Sequence, residues 1–267
     1  MNNVLKKIIE SKKEKISIYK KKYSSNEIFD RIKEAKCFIN FNDKLKKRCL
    51  EKKISIIAEV KKSSPSAGLI VKDFNHLEIS KLYIENGASF LSVLTEEDFF
   101  LGKLEYIRDI KNNHKIPILC KDFFIDTYQV ALAKSFGADC ILIILSAVDK
   151  SLAKDLYQAA KDLNISTLIE VHTENEADIA LSFEDSIIGI NNRNLKTLKT
   201  SIDTSIKLSK MLYSHKNPLI CESGINSSED VKFIIKNAKI YNFLIGESLL
   251  KSKNIASKTR EFTQITL

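Results

Sequence analysis

Eight short apolar runs, each ending in polar or charged residues and separated by amphipathic segments at intervals of roughly twenty to thirty-five residues, predict an α/β chain folded as a (β/α)8 barrel. The runs are 54–61 (ISIIAEVK), 90–97, 117–123, 140–145, 167–172, 187–193, 218–224 and 243–248. The first of them, from Ile54 to Val60, lacks a polar face of period two, as expected of a strand covered on both sides. The segments LEISKLYIENGA, DTYQVALAKSFGA, SLAKDLYQAAKDL, TSIKLSKML and SEDVKFIIKNA place apolar residues at helical spacing between the runs. An open doubly wound sheet fits eight such units less well than a closed TIM barrel.

Ahead of the first run, residues 1–53 are Lys-rich with apolar positions at helical spacing (Val4, Leu5, Ile8, Ile9; Ile28, Ile32, Ala35, Cys37), so two or three helices should form an N-terminal extension packed on a barrel spanning 54–267. The first run is the most informative. Its residues are β-branched, apolar or small up to Glu59 and Lys61, which lie two apart and so project from one face of a strand at its carboxyl end, where barrels of this kind collect their chemistry. Ser64, Pro65, Ser66 and Gly68 then read as a loop.

The composition excludes several functions. No apolar run approaches the ~18 residues of a membrane span, and 1–53 lacks the apolar stretch of a signal peptide. Five cysteines without a CxxC pair fit a reducing cytoplasm and no disulfide framework. The four histidines are scattered, so metal catalysis has no support. Only His172 lies near a strand end, and an isolated histidine there reads as structural or solvent-exposed rather than as a substrate contact. The net charge of +9 is dispersed over the amphipathic segments and there is no tryptophan, which argues for solvated helix faces rather than a nucleic-acid surface. A basic balance also favours an anionic substrate.

There are only seven glycines. Gly224 and Gly246 follow the seventh and eighth runs, where barrels bind phosphate through backbone N–H groups and a short helix N-terminus. A phosphate ester is the expected substrate, and Gly246→Val is expected to raise KM more than it lowers turnover.

In order along the chain, IIAEVKKSSPS, LSVLTEEDFFLG, PILCKDFFID, LIEVHTE, GINNRNL, CESGI and FLIGESL resemble the strand-end motifs of the indole-3-glycerol phosphate synthase family, from about Ile54 to Leu250. No second catalytic segment follows, so the chain resembles the monofunctional form. The resemblance implies closure of the pyrrole ring of indole from 1-(2-carboxyphenylamino)-1-deoxyribulose 5-phosphate with loss of carbon dioxide and water, without a cofactor, by a cytoplasmic protein expected to be monomeric.

It also implies roles. Lys121 becomes the acid that protonates the ketone oxygen for ring closure; at the end of an apolar strand, desolvation should weaken its hold on its proton. Glu170 is associated with proton transfer in dehydration, Glu59 with the same network, and Lys61 with anion binding or proton donation; which carboxylate acts first stays open. Arg193 offers a planar two-pronged donor to the substrate carboxylate. Asn191, Ser64, Ser223 and Glu222 line the pocket, with a turn-stabilising role equally open for Ser64, and Phe100 and Phe123 wall the aromatic ring. Phosphate falls to Gly224, Gly246 and Glu247.

Two features depart from commoner members: the loop SPSAG is one residue longer before glycine than in some, and Glu247 stands where some carry serine. Phosphate binding would then use backbone N–H alone, with the Glu247 side chain turned away. Phosphoribosylanthranilate isomerase is the nearest alternative, but its cysteine–aspartate pair has no counterpart here. A basic scaffold protein would leave the strand-end motifs unexplained.

Overall fold

The computed structural model describes residues 3–35, 38–194 and 197–266, so Cys37 of the expected extension lies outside the described residues. Eight parallel strands close into a barrel: β1 (Ser55–Val60), β2 (Phe90–Leu94), β3 (Ile118–Lys121), β4 (Cys140–Ile144), β5 (Ser166–Val171), β6 (Ile187–Asn191), β7 (Leu219–Glu222) and β8 (Asn242–Ile245). Neighbours in sequence are neighbours in the sheet, and β8 closes on β1 with Ser55 opposite Asn242. All six residues of β1 are buried, as the absence of a polar face requires.

Helices alternate with the strands. Each of the five segments with helical periodicity forms one, and Glu105–Asn113 and Glu174–Ala180 are helical between strands as well, with Glu247–Leu250 and Ile255–Thr263 following the last strand. Glu105–Asn113 and Glu174–Ala180 are short, and each buries only two residues, Ile107 and Ile110 in the first, Ala177 and Ala180 in the second. The stretch read as a loop after β1 contains a small antiparallel hairpin, Ser63–Ser64 with Gly68–Leu69.

Three helices precede β1: Asn3–Lys22, Ser25–Glu34 and Phe41–Leu50. The latter two carry N-caps, Ser24 accepting from the Glu27 N–H and Asn40 from the Asp43 N–H. Phe41–Leu50 covers the amino-terminal end of the barrel, where Phe41 meets Phe90 ring to ring at 4.6 Å and Arg48 donates to the Ile54 carbonyl at 2.5 Å. Asn3–Lys22 instead crosses the carboxyl-terminal end. Lys15 pairs with Glu97 at 2.7 Å, Lys20 with Asp126 at 2.6 Å, and Tyr19 donates to Glu97.

The deepest tie is Lys12 to Asp122 at 2.7 Å, with Lys12 only 2% exposed. Burial by itself would strip the proton from this lysine, but Asp122 outweighs it and the pKa is raised. Asp122 is further held by the Thr95 hydroxyl at 2.7 Å. Lys12→Met should therefore cost about 3–5 kcal/mol, the usual penalty for stranding one member of a buried pair, and Lys12→Met with Asp122→Asn should recover much of it. Urea unfolding measures both; a loss below about 1 kcal/mol for the single variant would mean that the pair does not hold the helix.

Candidate active site

The strand ends converge on a cavity of about 590 Å³ at the carboxyl-terminal mouth. Lys121 and Glu222 are the last residues of β3 and β7, Asn191 is the last of β6, and Glu59 and Glu170 are the penultimate residues of β1 and β5. Register brings them to one level: Asn191 stands opposite Glu222, and Glu170 opposite Gly189. All fourteen residues proposed from the sequence line this cavity.

Lys121 is the centre. Its ammonium lies 2.6 Å from Glu170 Oε2 and 3.0 Å from Glu222 Oε2, and its side chain is 14% exposed. Desolvation does act on it, in the direction expected, yet Glu170, Glu222 and Glu59 together reverse the effect and its pKa is raised above the ordinary lysine value. The expectation of a lysine made acidic by burial is thus corrected. Sequence marks the end of a strand but not how many carboxylates from other strands face it.

The two carboxylates are driven apart. Burial would raise both. In Glu170 the positive charges of Lys121 and His172 win, holding it well below the usual carboxylate range. Glu222 is pushed up to about 7, first by burial and then by the Glu170 charge, against the pull of Lys121. Its Oε1 is buried without a hydrogen-bond partner among the described residues and points at Gly189, where a Cβ would lie only 2.0 Å away. Glu59 pairs with Lys61 beside this group.

Glu59 also explains Gly246. A Cβ at that position would lie 2.6 Å from Glu59 Oε1 and 2.9 Å from its Cβ, so the glycine admits a carboxylate as well as any phosphate. An effect of Gly246→Val mainly on KM is therefore no longer expected. Gly246→Ala should displace Glu59 and lower kcat at least as much as it raises KM, by roughly the 5- to 150-fold that a 1–3 kcal/mol steric conflict produces. Steady-state kinetics decide; a change in KM alone would leave Gly246 with phosphate only.

The remaining wall is aromatic and polar. Phe100 and Phe123 face each other with ring centroids 6.2 Å apart. Glu96 accepts from the N–H groups of Asp98, Phe99 and Phe100, fixing the loop that carries the first ring. Ser64 Oγ accepts from the Ala67 N–H at 3.1 Å, the turn-stabilising contact, while still facing the cavity. Asn191 Oδ1 accepts from the Arg193 N–H at 3.0 Å, and Ser223 and Gly224 follow Glu222 along the rim.

Arg193 donates to Ser66 at 2.6 Å and to Glu247 at 3.1 Å. Glu247 also pairs with Lys251 at 2.6 Å, and its pKa is lowered chiefly by that lysine. Its side chain is thus engaged along the mouth by two cations, not turned away. The expectation failed because the sequence does not place Arg193 and Lys251 on either side of it.

Sequence reasoning missed several contributors. Val4, Leu5 and Ile8 of the first helix line the cavity, as do Leu142, Lys251 and Lys258. Helical spacing marked the first three as buried, but gave no sign that they cover the mouth rather than a flank. His172, read as structural or solvent-exposed, contacts Glu170.

The chain matches the family model described as indole-3-glycerol phosphate synthase over residues 5–262. Proteins of that name from Legionella pneumophila (strain Lens) and Alkaliphilus metalliredigens are each 41% identical to it, over 263 residues (96% of both chains) and 258 residues (97% of both). Among solved structures, 3-hexulose-6-phosphate synthase from Salmonella typhimurium superposes with a TM-score of 0.64 at 14% identity, covering 79% of this chain and 97% of that one. The tryptophan synthase alpha subunit of Legionella pneumophila gives 0.62 at 12%, covering 85% and 98%. At such identities these two share the barrel and nothing finer. With a matched family model over nearly the whole chain and full-length relatives at 41% identity, the chain belongs to the indole-3-glycerol phosphate synthase family.

Proposed function

We propose that this protein converts 1-(2-carboxyphenylamino)-1-deoxyribulose 5-phosphate to indole-3-glycerol phosphate, carbon dioxide and water, as a carboxy-lyase of tryptophan biosynthesis. The observation that carries the reading is Lys121, a cation held between Glu170 and Glu222 at the centre of the mouth. Ring closure needs a proton delivered to the ketone oxygen as the aromatic carbon attacks. Lys121 is the donor: the surrounding carboxylates guarantee that it carries a proton at neutral pH, at the expense of some driving force for giving it up.

Loss of carbon dioxide then restores the aromatic ring. Arg193 and Asn191 are assigned to the substrate carboxylate, with Arg193 exchanging Glu247 for substrate. Phe100 and Phe123 pack the anthranilate ring. Dehydration removes the hydroxyl formed at closure together with a ring proton; Glu170 takes the proton as a fully ionised base, and Lys61, beside Glu59, stands as the acid for the departing hydroxyl. Ser64, Ser223 and Glu222 orient the substrate and the two lysines.

The phosphate is assigned to the N–H groups of Gly224, Gly246 and Glu247, with the charge of the Glu247 carboxylate countered by Lys251 rather than turned away, and with Lys258 also lining the cavity. No helix among the described residues is long and apolar enough to cross a membrane. We take the protein as a cytoplasmic monomer comprising a helical extension, 1–53, and a catalytic barrel, 54–267.

The deciding experiment is to incubate the purified protein with the carboxyphenylamino sugar phosphate and follow indole absorbance and carbon dioxide together. Equal amounts of both are expected. Consumption of substrate without carbon dioxide, or no consumption, would overturn the assignment.

A further inference from the structure

Behind Glu170, away from the cavity, lies a second charged contact that the proposed chemistry does not use. Glu170 is 2% exposed, and only one of its oxygens faces Lys121. The other, Oε1, lies 3.2 Å from His172 Nε2, while His172 Nδ1 lies 3.2 Å from Glu176 Oε2. The Nε2 contact is poorly aligned for a hydrogen bond, but at this distance His172 still helps hold Glu170 ionised through both hydrogen bonding and charge. Glu176 holds the histidine twice, since its Oε2 also accepts the His172 backbone N–H at 2.7 Å.

These positions follow from the local fold. Glu170 and His172 are two apart at the end of β5 and so share a side of the strand. Glu176 is in the first turn of the helix Glu174–Ala180, whose N-cap Thr173 accepts from the Glu176 N–H. A helix start thereby fixes the ring that faces a buried carboxylate. The histidine side chain is 7% exposed and does not line the cavity.

We infer that His172 is a positioning residue for the reaction: clamped between Glu176 and Glu170, it presents a positive charge to the rear oxygen of Glu170 and fixes the other oxygen on Lys121. Carboxylates face the ring from both packed elements, Glu170 from β5 and Glu176 from the following helix, and Lys121 and Glu222 stand beyond Glu170 on the cavity side. Burial opposes the charge on the ring, but the two carboxylates overcome it and raise its pKa to about 9. A neutral histidine serving only as a helix-start spacer would need neither ring contact.

This inference rests on the proposed role of Glu170, and its test separates the two. Nitrogen-15 NMR of the imidazoles in the full-length protein is expected to show His172 doubly protonated at pH 7.5, with a titration midpoint near 9 that moves down by roughly a unit or more in Glu170→Gln and in Glu176→Gln. That result needs no turnover. In kinetics, His172→Gln keeps a neutral donor but loses the charge; kcat should fall about 10- to 100-fold, the usual cost of losing an orienting outer partner, with KM within about twofold. A neutral ring at pH 7.5, a midpoint indifferent to both glutamate substitutions, or unchanged kcat in His172→Gln would overturn the inference. If wild-type protein lacks the activity but the NMR couplings hold, the clamp stands and the assigned reaction falls.

Discussion

Lys121→Met is expected to lower turnover by about 10²–10⁴-fold while the protein stays folded. Met preserves most of the stem volume and removes the proton. Glu170 and Glu222 lose their shared counter-ion at the same time, both being buried, so they should answer by taking up protons rather than by unfolding the barrel. Lys121→Arg is the informative companion: it keeps the charge and the pairing but gives up a proton even less readily, so it should preserve substrate affinity without restoring rate. Single-turnover measurements with circular dichroism as the folding control test both. Near-normal turnover in Lys121→Met would remove this residue from ring closure and leave it as a structural counter-ion for two carboxylates.

How legible this site was depends on what kind of information each residue needed. The barrel was legible because burial on both faces erases polar alternation, leaving runs such as SIIAEV and CILII that stand out from amphipathic surroundings. Charges ending those runs marked Glu59, Lys121, Glu170 and Glu222, and the closed sheet brings them together. What the residues do to one another was not legible. Lys121 was expected to be acidified and is instead held protonated, since the outcome depends on the number of carboxylates within reach across three other strands. Gly246 looked like a phosphate contact, and its closeness to Glu59 depends on how β8 and β1 meet at the barrel seam. The first helix shows the same limit, because an apolar stripe specifies burial without specifying the surface that buries it. It takes the contacts themselves, Lys12 with Asp122, Lys15 with Glu97 and Lys20 with Asp126, to show that this helix crosses the catalytic end.

Glu170→Gln should be comparably damaging, and its effect on pH dependence separates a base from a structural acid. The amide keeps the shape and one acceptor for Lys121 but removes the negative charge, so dehydration should slow by about 10²–10⁴-fold and a ring-closed, undehydrated intermediate should accumulate, detectable by rapid quench. The charge of Glu170 is also one of the causes that hold Glu222 at about 7, together with burial, while Lys121 pulls the other way. Remove Glu170 and the pull of Lys121 on Glu222 goes undivided, so the Glu222 midpoint should move down. In the intact protein Glu222 titrates above its ordinary 4.5, so its contribution to stability is full below 4.5 and declines as pH rises through about 7. In Glu170→Gln that decline should shift to lower pH. Unfolding free energies measured between pH 5 and 8 on both proteins test the shift, and quench kinetics test the intermediate. If dehydration keeps its rate and the stability profile does not move, Glu170 neither takes the proton nor acts on Glu222, and the central charge triad would be a structural layer.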